Sequence, residues 1–152
     1  MQRLGAELVV DTSVVVKFFT EEAEDTKQAD QVFRAAMART VRLVAPDFLL
    51  VEFDNVLWRK TATRELSEGE AEGKLAEFEA FAPLLLVVPV AALLLSILRV
   101  SCRYGHAAYD TAFLALAESR SIPFLTADEK FYNKFRPYTD RVLLLRNLPL
   151  QA

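Results

Sequence analysis

Four acidic residues stand in settings that ordinary surface chemistry does not require: Asp11, Glu52, Asp110 and Asp128. Asp11 directly follows the apolar run Leu8-Val9-Val10, and Asp128 stands two residues beyond Phe124-Leu125-Thr126. Asp110 leads a helical stripe of Phe113, Leu114 and Ala117, which points it to the edge of the core rather than into bulk water. Glu52 lies between Leu49-Leu50-Val51 and Phe53, in a narrow polar stripe with Asn55 and Arg59. Taken singly, each acid has a plain explanation. The aspartates can cap helices or favour the helix macrodipole, and Glu52 can pair with Arg59. Gathered in one place, they would repel one another and raise one another's pKa values. A divalent cation relieves that repulsion, and hard oxygen donors select Mg2+ or Mn2+ over zinc, for which no Cys/His ligand spacing is present. By the same reasoning Asp110→Asn would raise stability in the absence of metal.

The elements that must position these acids alternate strand and helix. Leu8–Val10 reads as a strand, followed by a short helix over Val14–Phe19 and an amphipathic one over Glu21–Ala38, with Ala29, Val32, Phe33, Ala36 and Met37 on its apolar side. Arg42–Ala45 reads as a strand, and Pro46-Asp47 opens a helix that runs to about Thr63. Ser67-Glu68-Gly69-Glu70 resembles a capping box opening a helix through about Phe81. Strand Leu84–Val88, helices Ala91–Tyr104 and Ala107–Arg120, strand Phe124–Thr126, helix Asp128–Phe135 and strand Arg141–Leu145 complete the order. Strands without polar alternation, separated by helices, indicate a parallel sheet covered on both faces, hence a three-layer α/β/α sandwich. Ligands of such sheets bind outside the carboxyl ends of the strands, which is where Asp11 and Asp128 fall.

The bulk properties set limits. The 152 residues fit one domain, taken as 1–152, and the 53% hydrophobic content supplies a core. The single cysteine, Cys102, allows no intramolecular disulfide and reads as an idle thiol of a reducing compartment, hence the cytoplasm. Met1–Glu7 lacks the long apolar run of a leader. Ala80–Leu98 carries no charge, but Pro83 and Pro89 interrupt it, so a soluble chain without a membrane span is expected. The net charge of −3 does not advertise a nucleic-acid binder. Four of the negative charges belong to the acid set, and local basic groups such as Arg59, Lys60 and Arg64, or Lys130, Lys134 and Arg136, could guide a phosphate backbone.

Four blocks, in order, resemble a known family. Leu8-Val9-Val10-Asp11-Thr12-Ser13-Val14 is similar to the opening of PIN domains, specifically of VapC-like toxins of toxin–antitoxin pairs. Pro46-Asp47-Phe48-Leu49-Leu50-Val51-Glu52-Phe53-Asp54-Asn55-Val56-Leu57, Tyr109-Asp110-Thr111-Ala112-Phe113-Leu114-Ala115-Leu116-Ala117 and Phe124-Leu125-Thr126-Ala127-Asp128 match further along, and none departs from the acidic pattern. The resemblance spans about Leu8 to Leu145. It implies a PIN fold, Mg2+- or Mn2+-dependent cleavage of RNA, inhibition by a partner antitoxin, and often a homodimer. It also implies that Asp11, Glu52, Asp110 and Asp128 form the metal site. Thr12 or Ser13 and Thr126 match supporting positions, and Asn55 stands beside Glu52 as another.

Such a site can hydrolyse a phosphodiester with a metal-activated water. Asp11 is expected as the central, bridging ligand, because it ends a rigid strand. Asp110 and Glu52 are expected as direct or water-mediated ligands, and Asp128 completes a second metal or orients the attacking water. No side chain offers itself as an independent general base, and His106 is expected to pack or cap at a helix start. Glu65–Phe81 and the Glu52 helix should pack as a pair, with Phe53 and Trp58 either in the core or lining a groove for a partner's helix. Phe18, Phe19 and Phe33 carry the same ambiguity. Two rivals stay open. One is a phosphoryl-transfer domain of the receiver or phosphatase type, which commonly carries a lysine at a late strand end, where here Leu143-Leu144-Leu145 is followed by Arg146 and Asn147, and which has no role for Glu52. The other is a PIN-like binding module without catalysis, which would have no need of the acids.

Overall fold

In the computed structural model of the protein, which describes residues 6–150, short apolar strands pair in parallel, and the central three are held between neighbours on both sides. The strands are β1 (Glu7–Val10), β2 (Arg42–Pro46), β3 (Leu85–Val88), β4 (Phe124–Thr126) and β5 (Val142–Leu144), and they form one sheet in the order β3-β2-β1-β4-β5. All pairings are parallel, with Val9 opposite Val44 on one side and Phe124 on the other. Leu8, Val9, Val10, Leu43, Val44, Leu125 and Thr126 are wholly buried, the signature of a sheet covered on both faces. The helices are α1 (Thr12–Phe19), α2 (Thr26–Met37), α3 (Phe48–Ala62), α4 (Glu68–Phe81), α5 (Leu94–Tyr104), α6 (Ala108–Arg120) and α7 (Glu129–Phe135). The chain leaves β1 towards β2 and β3, then returns through α5 and α6 to β4 on the far side of β1. That reversal makes the carboxyl ends of β1 and β4 the topological switch point of the sandwich.

The packing fixes the helix that carries Glu52. Phe53, its neighbour, is fully buried and stacks on Phe78 of α4 at 4.1 Å between ring centroids. Phe19 packs edge-on against Phe53, Phe78 and Phe81, and Phe33 stacks on Phe81. These aromatics therefore belong to the core, and each such pair adds about 0.5–1.5 kcal/mol beyond its buried area. Trp58 instead stays 63% exposed, on a groove between α3 and α4. The expected capping box opens α4: Glu70 N donates to Ser67 Oγ, and Ser67 N to Glu70 Oε2.

Several boundaries differ from expectation. Residues 21–25 are not helical: Asp25 takes φ +60°, and Lys17 Nζ bonds the Glu24 carbonyl, so α2 starts only at Thr26. Met37, placed on the apolar side, is 53% exposed. Pro46 and Asp47 do not open α3 as a capped turn. Pro46 pairs in the sheet with Val88, and Asp47 Oδ1 accepts instead from Val90 N at 2.9 Å. A 3-10 turn over Val90–Ala92 precedes α5, and the last strand is shorter than expected at both ends. Among the described residues no helix is long and apolar enough to cross a membrane. Most of the expectation about a leader, which concerns Met1–Glu7, falls outside the described residues.

Candidate active site

Asp11 is held by the two strands that meet at the switch point. Its backbone N–H continues the ladder to Leu125 O at 3.2 Å, and its side chain turns back as the N-cap of α1, accepting from Val14 N at 3.3 Å. Two hydroxyls complete its shell. Ser13 Oγ donates to Asp11 Oδ1 and accepts from Ala127 N at 2.9 Å. Thr126 Oγ1 donates to Asp11 Oδ2 at 2.6 Å and accepts from Asp128 N at 3.0 Å. Each hydroxyl thus passes the polarity of a loop amide on to the carboxylate, so the β4–α7 loop and Asp11 orient each other. Burial pushes the Asp11 carboxyl up to about 6, against the opposing pull of the Ser13, Thr126 and Val14 bonds.

The four acids line one pocket of about 340 Å3, with Thr12, Ser13, Asn55 and Arg59 among the other polar residues. Glu52 enters from α3, half-buried, and is pushed up to about 7, first by burial and then by the charge of Asp11. The hydroxyl of Thr12 lies near enough to act on Glu52, yet Thr12 Oγ1 and Glu52 Oε1 are both buried without completing a hydrogen bond. Arg59 lines the pocket too and its charge pulls the Glu52 carboxyl down, but among the described residues the two form no direct ion pair, so the plain reading of Glu52 as a partner of Arg59 finds no contact behind it. Asp128 is exposed and caps α7, its Oδ1 accepting from Phe131 N at 3.0 Å.

Asp110 corrects the sequence reading. Its side chain is 57% exposed rather than tucked at the core edge, because the first turn of α6 overhangs the pocket before the helix enters the sandwich at Thr111. Its Oδ2 lies 2.9 Å from His106 Nε2. His106 does pack at the helix start, edge-on to Phe131 and Phe135, but it also bonds Lys134 of α7, a pairing that no sequence spacing announced. Arg146 lies elsewhere, bonded to Glu24 and Glu129, so the end of the last strand brings no cation to the pocket, where the phosphoryl-transfer rival commonly has one. Cys102 is exposed and does not line the pocket.

The donor set suits a hard cation. The pocket offers carboxylate and hydroxyl oxygens, an orphaned Glu52 oxygen, and two carboxyls, Asp11 and Glu52, that burial pushes upward. Among the described residues no three His, Cys, Asp or Glu side chains converge tightly enough to cage an ion by themselves. Mg2+ does not need a cage, since it keeps several waters and is commonly held through one or two carboxylates and the substrate phosphate.

Comparison with known proteins identifies the family of the chain. The PIN domain family model matches residues 8–135. Ribonuclease VapC3 of Pyrobaculum aerophilum is 31% identical over 128 residues, which cover 84% of this chain and 94% of the relative. Among solved structures, PAE2754 from Pyrobaculum aerophilum superposes with a TM-score of 0.65 at 18% identity, covering 92% of this chain and 90% of its own. A toxin–antitoxin complex from Klebsiella pneumoniae superposes with a TM-score of 0.62 at 11% identity, covering 93% and 99%. At those identities the structures attest the fold, and the family model and the relative attest the kinship: the chain belongs to the PIN domain family.

Proposed function

We propose that the protein is a Mg2+- or Mn2+-dependent endoribonuclease and the toxin of a toxin–antitoxin pair, working in the cytoplasm. The observation that carries the reading is Asp11, fixed from both sides by Ser13 and Thr126 and crowded by Glu52 in a pocket that all four acids line. Its kinship with Ribonuclease VapC3 supports RNA as the substrate. A divalent ion held there would lower the pKa of a water and stabilise charge on the departing oxygen. Asp11 and Glu52 would bind that ion, with Asp110 and Asp128 holding it directly or through water. Asn55 and Arg59 on α3 flank the acids and would contact the phosphate backbone.

The partner is proposed on two grounds. The structural neighbour from Klebsiella pneumoniae is a toxin–antitoxin complex. The groove between α3 and α4 sets Trp58, Leu66 and Leu75 beside Asp54, Glu65, Glu68, Glu70 and Glu72, and offers an antitoxin helix a narrow apolar strip with an acidic rim. Leu94, Leu95 and Leu98 of α5, each about 60% exposed, are the surface we assign to a homodimer contact. The experiment that tests the activity is RNA cleavage by chelator-stripped protein, before and after Mn2+ is restored. Cleavage only after restoration is expected, and equal cleavage in the stripped protein contradicts the reading.

A further inference from the structure

The side chain of Asp110 is 57% exposed, and one side chain from outside its helix holds it. His106, the only histidine of the chain, places Nε2 at 2.9 Å from Asp110 Oδ2 and Nδ1 at 2.6 Å from Lys134 Nζ. An ammonium carries three donors and no acceptor. Nδ1 is therefore the acceptor, the ring proton sits on Nε2, and Nε2–H donates to Asp110. The ring is 22% exposed and lies edge-on to Phe131 and Phe135 at 5.8 and 5.2 Å between centroids, which holds its plane. Asp110 Oδ1 carries no hydrogen bond among the described residues.

The elements involved make this more than a local contact. Lys134, Phe131 and Phe135 all belong to α7, whose N-cap is Asp128. The same short helix therefore presents Asp128 at its start and, through Lys134 and His106, steadies Asp110 on α6. A lysine placed directly on Asp110 would form an ion pair and compete with a cation. An imidazole in between delivers a single N–H donor and leaves one oxygen of the carboxylate available.

We propose that the Lys134–His106 pair is a positioning device: it fixes the Nε2–H tautomer of His106 and thereby orients Asp110 Oδ1 towards a divalent ion in the pocket. The proposal rests on Asp110 as a metal ligand. Hydrogen-bonded supports of this kind change metal affinity by about 10- to 100-fold when removed.

The test uses the full chain, with Mn2+ affinity measured by calorimetry and the lone imidazole followed by 15N NMR in metal-free protein. His106→Leu keeps an apolar body against Phe131 and Phe135 but removes both hydrogen bonds, and should weaken Mn2+ about 10- to 100-fold. His106→Gln, which restores an N–H donor towards Asp110, should recover most of that loss, a rescue that mere packing would not produce. Lys134→Met leaves His106 in place, and should release the ring into a mixture of tautomers with a smaller loss of affinity. Wild type should show the Nε2–H form. Tight Mn2+ binding by His106→Leu, or an Nδ1–H ring in wild type, overturns the proposal while leaving the metal site standing. Absence of Mn2+ binding by wild type overturns both.

Discussion

Thr126 Oγ1 donates to Asp11 Oδ2 at 2.6 Å, joining the ends of two neighbouring parallel strands through a side chain that is wholly buried. The hydroxyl also accepts from Asp128 N, so removing it leaves a carboxylate oxygen and a backbone amide unpaired at once. Thr126→Val should cost about 1–3 kcal/mol in chemical denaturation and most of the RNA cleavage. Thr126→Ser should keep the larger part of both. A valine variant as stable and active as wild type would remove this contact from the account.

The raised carboxyls give metal-free protein a defined pH dependence. Asp11 at about 6 and Glu52 at about 7 hold protons in the folded state that the unfolded chain, at 3.8 and 4.5, has already released. Their contribution to stability is complete below about pH 4, declines as pH rises and is gone above about 7. Melting temperature without metal should therefore fall between pH 5 and pH 8. Mn2+, which binds the ionised forms, should be bound more tightly and raise the melting temperature more as pH rises through the same window. A metal-free melting temperature that climbs across that range would contradict the assignment.

Glu52 is the carboxyl that burial and the charges of Asp11 and Asp110 push upward, whereas Asp110 is largely in solvent and bonded to His106. Glu52→Gln should stabilise metal-free protein at pH 8 by about 1 kcal/mol, a figure reduced for the open side of the pocket. It should also abolish the stabilisation by Mn2+. Thermal denaturation with and without Mn2+ measures both effects, and a destabilised glutamine variant would make Glu52 a structural acid.

Arg59 lines the acid pocket and acts on Glu52 through its charge, without a direct ion pair among the described residues. Arg59→Gln should leave the melting temperature nearly unchanged, weaken RNA binding, and reduce the salt dependence of that binding by about one unit of slope. An unchanged slope would place the RNA backbone elsewhere.

How much of this was legible in the sequence follows from which forces act locally. Asp11 could be read because a strand end followed by capping residues is a local pattern, and Glu52 because an acid inside an apolar helical stripe is conspicuous. The strand order β3-β2-β1-β4-β5 was not legible, since it depends on which neighbours β1 finds across the sheet. Periodicity placed Asp110 at the head of an apolar stripe but could not tell that the first turn of α6 overhangs the pocket. Residues 21–25 carried helix-compatible side chains, and only the contact of Lys17 with the Glu24 carbonyl and the left-handed Asp25 set that turn. The His106–Lys134 contact joins residues 28 apart in the chain, beyond any spacing rule.

The most direct measurement of the central claim is RNA cleavage by wild type and Asp11→Asn, purified in parallel and assayed in Mn2+. Asparagine keeps the shape of the side chain and removes the charge that a cation needs. Cleavage by wild type with a loss of at least about 100-fold in the variant is the predicted result. Equal cleavage by both would contradict the account, because the activity would then come from some other site.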